Sequence, residues 1–485
     1  MLQKKFTSAL HSKLNTKLPL FLIALFGLVL RLAFFSGIGT SDDLAYTRYA
    51  VNIDRGIDPH SVMTLSTRLG MIYPTAFSYS LFGISDFSSV LFVLLTSVGS
   101  IILIFYFGKL LFNEKTGLMA AFLLSSFPLD MVYATKLLSD LPSAFFMALG
   151  VYLFLYSEIK QKLKYGMGYL FAGISIGIGY LIRESVLLIA LFFIIYILYK
   201  KRLRKEYFLV PLGILIIFAI ETLIFFTLTS DPLFRMHASQ QYLIDAVIAY
   251  NYFGRLDFPT GLFHYPYMIL TNNLLSYFYV FIFIAIAYCL IRKKEETYTL
   301  LFWFIPLLLY LSFGSSSLTR YIPFKAADRY LLIIAIPGIL LLAFFLSEKR
   351  RFIKRVVMPA ALVILLLTSV ISVYLREDRS LLGNLNGISS YLEGLDMPVY
   401  TDDRTVQALD YIQKYRNGIE VREYPDDLRI IKDAYVLVNK YMINRLKEAH
   451  KDIEFPEEID NPPESWKITK EIGEGENKII IYYAS

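Results

Sequence analysis

Two adjacent carboxylates open the chemistry of this sequence. Asp42 and Asp43 stand in Gly-Thr-Ser-Asp-Asp-Leu-Ala-Tyr, shortly after an apolar run that ends at Phe35. At such a boundary a pair of acids is suited to take a proton from an attacking hydroxyl, or to hold a divalent cation such as Mg or Mn. Ser and Asp ahead of a helix also satisfy its free N–H groups, so a plain helix start accounts for the same residues. A second acid, Asp140, follows in Ala-Thr-Lys-Leu-Leu-Ser-Asp-Leu-Pro, with Lys136 four residues before it. It too reads as a helix start. Basic residues accompany the acids: Arg55, Arg68, Arg183 next to Glu184, and Arg320, Lys325 and Arg329. Guanidinium forks gathered in this way suit an anionic ligand, whereas any one of them taken singly suits a local salt bridge or a snorkelling side chain.

The segments that carry these groups are connections between apolar runs. Of 485 residues, 56% are hydrophobic and only 18% charged, and the mean hydropathy is +0.52, too apolar for a protein whose main solvent is water. Runs near span length fall at about 18–35, 87–107, 117–132, 141–156, 167–182, 185–199, 208–228, 274–291, 298–313, 330–346 and 356–374, which predicts about eleven transmembrane helices. Lys4, Lys5, Lys13 and Lys17 precede the first run, which is longer than a signal-peptide core and is read as a retained helix.

Charge tests the count independently, because short cytoplasmic loops collect Lys and Arg. With the N-terminus inside, every second connection is basic: Lys109 and Lys115; Lys160, Lys162 and Lys164; Lys200 to Lys205; Arg292 to Lys294; and Lys349 to Arg355. The acids and arginines named above then face outward, as does the tail. The formal charge of +7 therefore suits the anionic inner leaflet of a plasma membrane and gives no reason to invoke nucleic acid.

After about residue 375 the composition becomes charged and ordinary in hydropathy, which divides the chain into a membrane domain, 1–374, and a soluble extracytoplasmic domain, 375–485. Strand-like runs at Pro398–Thr401, Ile419–Arg422, Tyr435–Val438 and Ile479–Tyr483 alternate with helical stretches near 403–415 and 440–450, so this domain is predicted to be α/β. Cys289, the one cysteine, reads as a core residue, and the five histidines lack metal-ligand spacing. Arg31 and Glu221 lie within apolar runs. Arg31 reads as snorkelling to the nearby helix end, and Glu221 has no partner legible in sequence. No phosphate-binding Gly-Lys-Ser/Thr loop is present, which argues against a nucleotide-driven pump.

From Asp42 to His60, the two acids followed by Tyr46, Ala50, Ile53, Gly56 and Pro59 are similar to the first-loop pattern of the GT-C membrane glycosyltransferases of the protein O-mannosyltransferase and aminoarabinose transferase type. Arg68, Pro74, Leu81-Phe82-Gly83, the stretch Leu111 to Gly117, Phe127-Pro128 and Asp140 continue the resemblance in order and separation. Ala327-Asp328-Arg329-Tyr330-Leu331 before Ile336-Pro337 resembles the group's last outer-loop motif. Many members carry Asp-Glu where this chain has Asp42-Asp43.

The resemblance implies a GT-C-like helical membrane fold and an inverting transfer of sugar from a polyprenyl-phosphate donor to a protein, glycan or lipid acceptor at the outer membrane face. It makes Asp42 the match of the catalytic base, with Asp43 and Asp140 completing the acidic motifs. Arg68, Arg183, Arg329 and Lys136 are the candidates for the donor phosphate, and Tyr46, His60 and Tyr330 for further substrate contacts. A polytopic secondary transporter or lipid flippase is the alternative, disfavoured because the ionisable residues collect toward one face instead of the midplane and no inverted repeat is visible.

Overall fold

The computed structural model describes the chain except residues 1, 40–41, 57–63, 161–165, 250–262, 316–320, 322–326, 377–381, 417–419, 450–454, 474 and 476–477. Its contacts form two units: Met1–Phe35, His60–Pro74 and Val90–Arg376 in the first, and Ser36–Pro59, Thr75–Ser89 and Glu377–Ser485 in the second. The division at Arg376 lies close to the composition change near 375. The second unit also takes in two earlier pieces, one of which carries Asp42 and Asp43.

Each apolar run named above falls mainly on helix. In chain order the helices up to residue 374 are α1 Leu2–Ala33, α2 Asp42–Asp54, α3 Leu69–Phe82, α4 Asp86–Leu111, α5 Glu114–Ser125, α6 Pro128–Tyr133, α7 Asp140–Lys160, α8 Met167–Ile182, α9 Ala190–Lys200, α10 Leu209–Thr229, α11 Phe234–Ala249, α12 His264–Thr271, α13 Ser276–Arg292, α14 Glu295–Phe313, α15 Leu332–Leu346 and α16 Met358–Tyr374. Among the described residues seven helices are long and apolar enough to cross a membrane, fewer than the eleven expected. The shortfall has local causes. The run at 117–132 is broken into α5 and α6 before Pro128, which takes the first position of a new helix. The run at 185–199 begins as the 3-10 turn Glu184–Ile189 and leaves α9 only 11 residues. The apolar stretches Met167–Ile182 and Tyr277–Arg292 are helices below span length.

Helix α15 is buried along its whole length and packs against α5, α7, α13 and α14, so it is the core of the first unit. An all-round apolar helix belongs in that position. Helices α8 and α10 approach through glycines: a Cβ on Gly173 would lie 2.0 Å from the Val210 carbonyl oxygen, and one on Gly213 2.5 Å from that of Leu170. Small residues allow such backbone contact, which drives helix association where water does not.

Arg31 does not snorkel. It is fully buried, with Nη2 2.5 Å from Asp130 Oδ1, Nε 2.5 Å from Ser97 Oγ, and Nη1 donating to the carbonyls of Gly27 and Ser125 at 2.8 and 3.0 Å. The Ser97 hydroxyl in turn donates to Asp130. The carbonyls come from α1 and from the C-terminal end of α5, so a guanidinium set in apolar sequence closes the gap that the break before Pro128 opens.

In the second unit the tail forms α17 Gly383–Leu392, β1 Val399–Thr401, α18 Asp403–Ile412, β2 Val421–Glu423, β3 Ala434–Asn439, α19 Lys440–Ala449, β4 Trp466–Ile472 and β5 Ile479–Ala484. Strand order is β2-β1-β3-β5-β4, with β1 parallel to β2 and β3, and β5 antiparallel to β3 and β4. Val436, Val438, Ile443, Ile480 and Tyr482 lie in its core. The α/β expectation holds. Strand β4 escaped the sequence reading because it is an edge strand whose Lys467, Lys470 and Glu471 face solvent, so it lacks an apolar run.

The buried pair generates a prediction. Asp130→Ala strands the Arg31 charge, and unpairing a buried ion costs about 3–5 kcal/mol. We expect a large drop in the thermal midpoint of the detergent-solubilised protein, with Asp130→Asn intermediate because it still accepts from the guanidinium. Equal midpoints for Asp130→Ala and the parent chain would contradict the pairing.

Candidate active site

Asp140 sits in the first turn of α7, where the exposed N–H groups of the helix favour negative charge. Its carboxylate is almost fully buried, and two arginines from distant parts of the chain meet it. Arg183, at the C-terminal end of α8, places Nη1 2.5 Å from Oδ1; Arg329, in the turn Asp328–Leu331 that leads into α15, places Nε 3.4 Å from Oδ2. A third, Arg68, reaches the neighbouring Ser139 hydroxyl at 3.2 Å, which Arg183 also approaches at 3.3 Å. The start of α7, the end of α8 and the entry to α15 thus bring three guanidinium groups to one end of the helical unit. Arg68 and Arg329 both act on Arg183 as like charges.

The ring of Tyr330 lies under two of them, 4.5 Å from the Arg183 guanidinium carbon and 5.7 Å from that of Arg329. Its π-face offers partial negative charge without adding a full anion. Lys136 is buried in the turn between α6 and α7. Asp328 accepts from the Tyr133 hydroxyl at 2.7 Å and from Asn272 at 3.3 Å, which fixes the turn that carries Arg329.

Sequence reasoning paired Arg183 with its neighbour Glu184. The structure separates them. Glu184 faces Arg235 of α11, 2.6 Å away, and Arg68 at 3.6 Å. Burial alone would raise the Glu184 carboxyl, but these guanidinium groups hold it at about 2, so it stays ionised. Arg235 also binds Glu221 at 2.6 Å and the Tyr180 carbonyl at 2.7 Å, and stacks on the Tyr180 ring at 4.3 Å. That supplies the partner Glu221 lacked in sequence. Arg235 itself was missed. An acid inside an apolar run demands a cation nearby, and Arg235 is the first one downstream, so a signal for it existed.

Arg68, Arg183, Arg329 and Arg235 face Asp140, Glu184 and Glu221, four guanidinium groups against three carboxylates. These carboxylates and the Ser139 hydroxyl hold the planar guanidinium groups in place. Such an arrangement attracts a phosphate or a comparable anion, and its planar donors are preorganised for one.

Asp42, Asp43 and Tyr46 belong to the second unit, on α2. Both acids occupy the first turn, yet their settings differ. Asp43 is buried and accepts from the Gly39 N–H, where a Cβ would meet the Asp43 carboxylate oxygen at 2.7 Å. Asp42 falls on the stripe of Ala45, Arg48 and Asn52, none of which is buried. The first acid is therefore presented while the second holds the chain entering the helix. Tyr46 is fully buried. His60, Arg320 and Lys325 lie outside the described residues. Among the described residues no group of three or more His, Cys, Asp or Glu side chains is placed to hold a metal ion.

Comparison with known proteins follows the same lines. Residues 69–225 match the family model of dolichyl-phosphate-mannose-protein mannosyltransferase. Among curated protein sequences none matches the chain significantly. Among solved structures, ArnT from Cupriavidus metallidurans in the apo state superposes with a TM-score of 0.62 at 11% identity, over 95% of this chain and 97% of that one. The same protein bound to undecaprenyl phosphate gives 0.61, with the same identity and coverage. The apo oligosaccharyltransferase of Archaeoglobus fulgidus gives 0.57 at 13% identity, over 88% of this chain and 70% of that one. Nearly its whole length thus has the GT-C-like fold of ArnT, and residues 69–225, about a third of the chain, carry sequence features of the mannosyltransferase model.

Proposed function

We propose that this multi-pass membrane protein is an inverting glycosyltransferase that moves a sugar from a polyprenyl-phosphate donor to a hydroxyl acceptor at the outer membrane face. The observation that carries the reading is the convergence of Arg183 and Arg329 on Asp140, with Arg68 on the adjacent Ser139, at one end of a GT-C-like helical unit. Two neighbours in fold support the donor class, since one ArnT structure holds undecaprenyl phosphate and one archaeal oligosaccharyltransferase structure a dolichol-phosphate. The alternation of basic connections supports the orientation, with the N-terminus inside.

In the reaction the acceptor hydroxyl gives its proton to Asp42 as its oxygen bonds to the anomeric carbon. The bond from that carbon to the donor phosphate breaks on the opposite side of the sugar, and the carrier phosphate leaves with the electron pair. The arginines stabilise the charge that grows on it. Asp140 keeps Arg183 and Arg329 oriented, and Tyr330 stacks beneath them. Asp42 carries the base role because it is the less buried acid of the pair.

Two predictions test the assignment, with purified protein, a panel of undecaprenyl-phosphate sugars, and mass spectrometry of the released carrier. Asp42→Asn should lower kcat by about 10²- to 10⁴-fold, the usual contribution of a general base, with the thermal midpoint unchanged. Undiminished turnover in that variant would reject the base. Arg183→Ala should cost about 10²- to 10³-fold in kcat/KM, in line with loss of one preorganised donor to the developing anion, and Arg183→Lys should recover only part because a point charge lacks the planar fork. If the parent chain releases no carrier from any donor yet moves lipid between leaflets of a vesicle, the flippase reading takes its place.

A further inference from the structure

The second unit raises a question that the transfer chemistry leaves unanswered, namely why a soluble α/β domain is attached at all. Its contacts supply an answer. The acid-bearing helix α2 packs against α18 of the tail domain and the turn that follows it. The Tyr415 hydroxyl lies 2.7 Å from Thr47 Oγ1, which donates back to the Leu44 carbonyl of α2 at 2.7 Å or exchanges roles with the phenol. Arg55, one residue past the end of α2, donates to the carbonyls of Tyr415 and Lys414 at 2.8 and 3.3 Å. Helix α2 is therefore gripped at its middle and just beyond its end by one short turn.

That turn is built for the grip. Lys414 and Tyr415 both take positive φ, 54° and 53°, a conformation that residues with side chains seldom adopt. The Tyr415 amide closes the turn on the Asp410 carbonyl at 2.7 Å. One turn earlier on α18, the Tyr411 hydroxyl donates to Asp86 at 2.6 Å and lies 3.2 Å from Ser89 Oγ, which also meets the Tyr79 hydroxyl at 2.7 Å. Burial pushes the Tyr415 phenol well above its ordinary value, so it stays a neutral hydroxyl. Along α2, Thr47 lies one turn after Asp43 on the buried face, with Asp42 just ahead. A hydroxyl contact at Thr47 thus fixes the rotation of α2, and with it the direction of the Asp42 carboxylate.

We propose that the C-terminal domain is a positioning element for the acid-bearing helix, acting through Tyr415 on Thr47. The inference rests on Asp42 as the base of the proposed transfer. Removing the phenolic oxygen leaves the helix in place and loosens its rotation, so the chemical step suffers while donor binding does not.

The test uses the full chain with the undecaprenyl-phosphate sugar that the parent protein turns over. Tyr415→Phe and Thr47→Val should each lower kcat about tenfold, because small misplacement of a reacting group is costly, with KM for the donor within about twofold. Thr47→Ser, which keeps the hydroxyl, should retain parent activity, and the Tyr415→Phe/Thr47→Val double variant should be no slower than either single one. A readout independent of turnover is amide exchange: residues 44–54 should exchange about fivefold faster in Tyr415→Phe, with β3 and β5 unchanged, as expected when one tether of a local unit is lost. Parent-like kcat and unchanged α2 exchange in Tyr415→Phe would overturn the proposal, as would additive losses in the double variant. The Asp42→Asn control separates the two readings: an inactive Asp42→Asn beside a parent-like Tyr415→Phe removes the positioning role alone, whereas an active Asp42→Asn removes the base.

Discussion

Burying a charge among apolar helices is tolerated only when an opposite charge meets it with good geometry, and that constraint organises the first unit of this protein. Arg31 meets Asp130, Arg183 and Arg329 meet Asp140, and Arg235 meets both Glu221 and Glu184. In each case the partners come from separate helices or turns, so every pair also ties two pieces of chain together. The pairs differ in how many cations meet one acid. Arg31 alone meets Asp130, and the Ser97 hydroxyl and three backbone carbonyls take up its further donors. Around Asp140, Arg183 and Arg329 converge on the carboxylate and Arg68 on the adjacent Ser139.

Both kinds of pair are deeply buried, but they stand in different settings. The Arg31 cluster repairs a break in helical packing ahead of Pro128 and has nothing to offer a ligand. The Asp140 cluster sits where α7 begins and α8 ends, with planar donors held by a carboxylate, a serine hydroxyl and a tyrosine face. Donors preorganised in that way need little reorganisation when they meet an anion. The second unit adds a different principle: Asp42 and Asp43 are neighbours in sequence, but the helix separates them by about 100° of rotation, giving one a backbone partner and the other a less buried setting.

Much of this was legible in the residue order. Apolar runs marked the helices, because a backbone in lipid must satisfy its own hydrogen bonds and does so as helix. The change of composition near residue 375 lies close to the start of the sheet-bearing tail, and the candidate acids and arginines were visible as charges between runs. The span count was less secure, since Pro128 and the turn at Glu184 shorten helices in ways hydropathy does not report. Edge strand β4 was hidden by its own charges.

Residue order alone carried the class of the protein, the type of its ionisable groups and their order along the chain, because hydropathy and charge are properties of single residues and short windows. The partners came with packing: Arg183 turns from Glu184 to Asp140, Glu221 meets Arg235, Arg31 is buried, and the turn after α18 of the tail holds α2. Pairing depends on distances between residues far apart in the chain, and those distances exist only once the helices have packed.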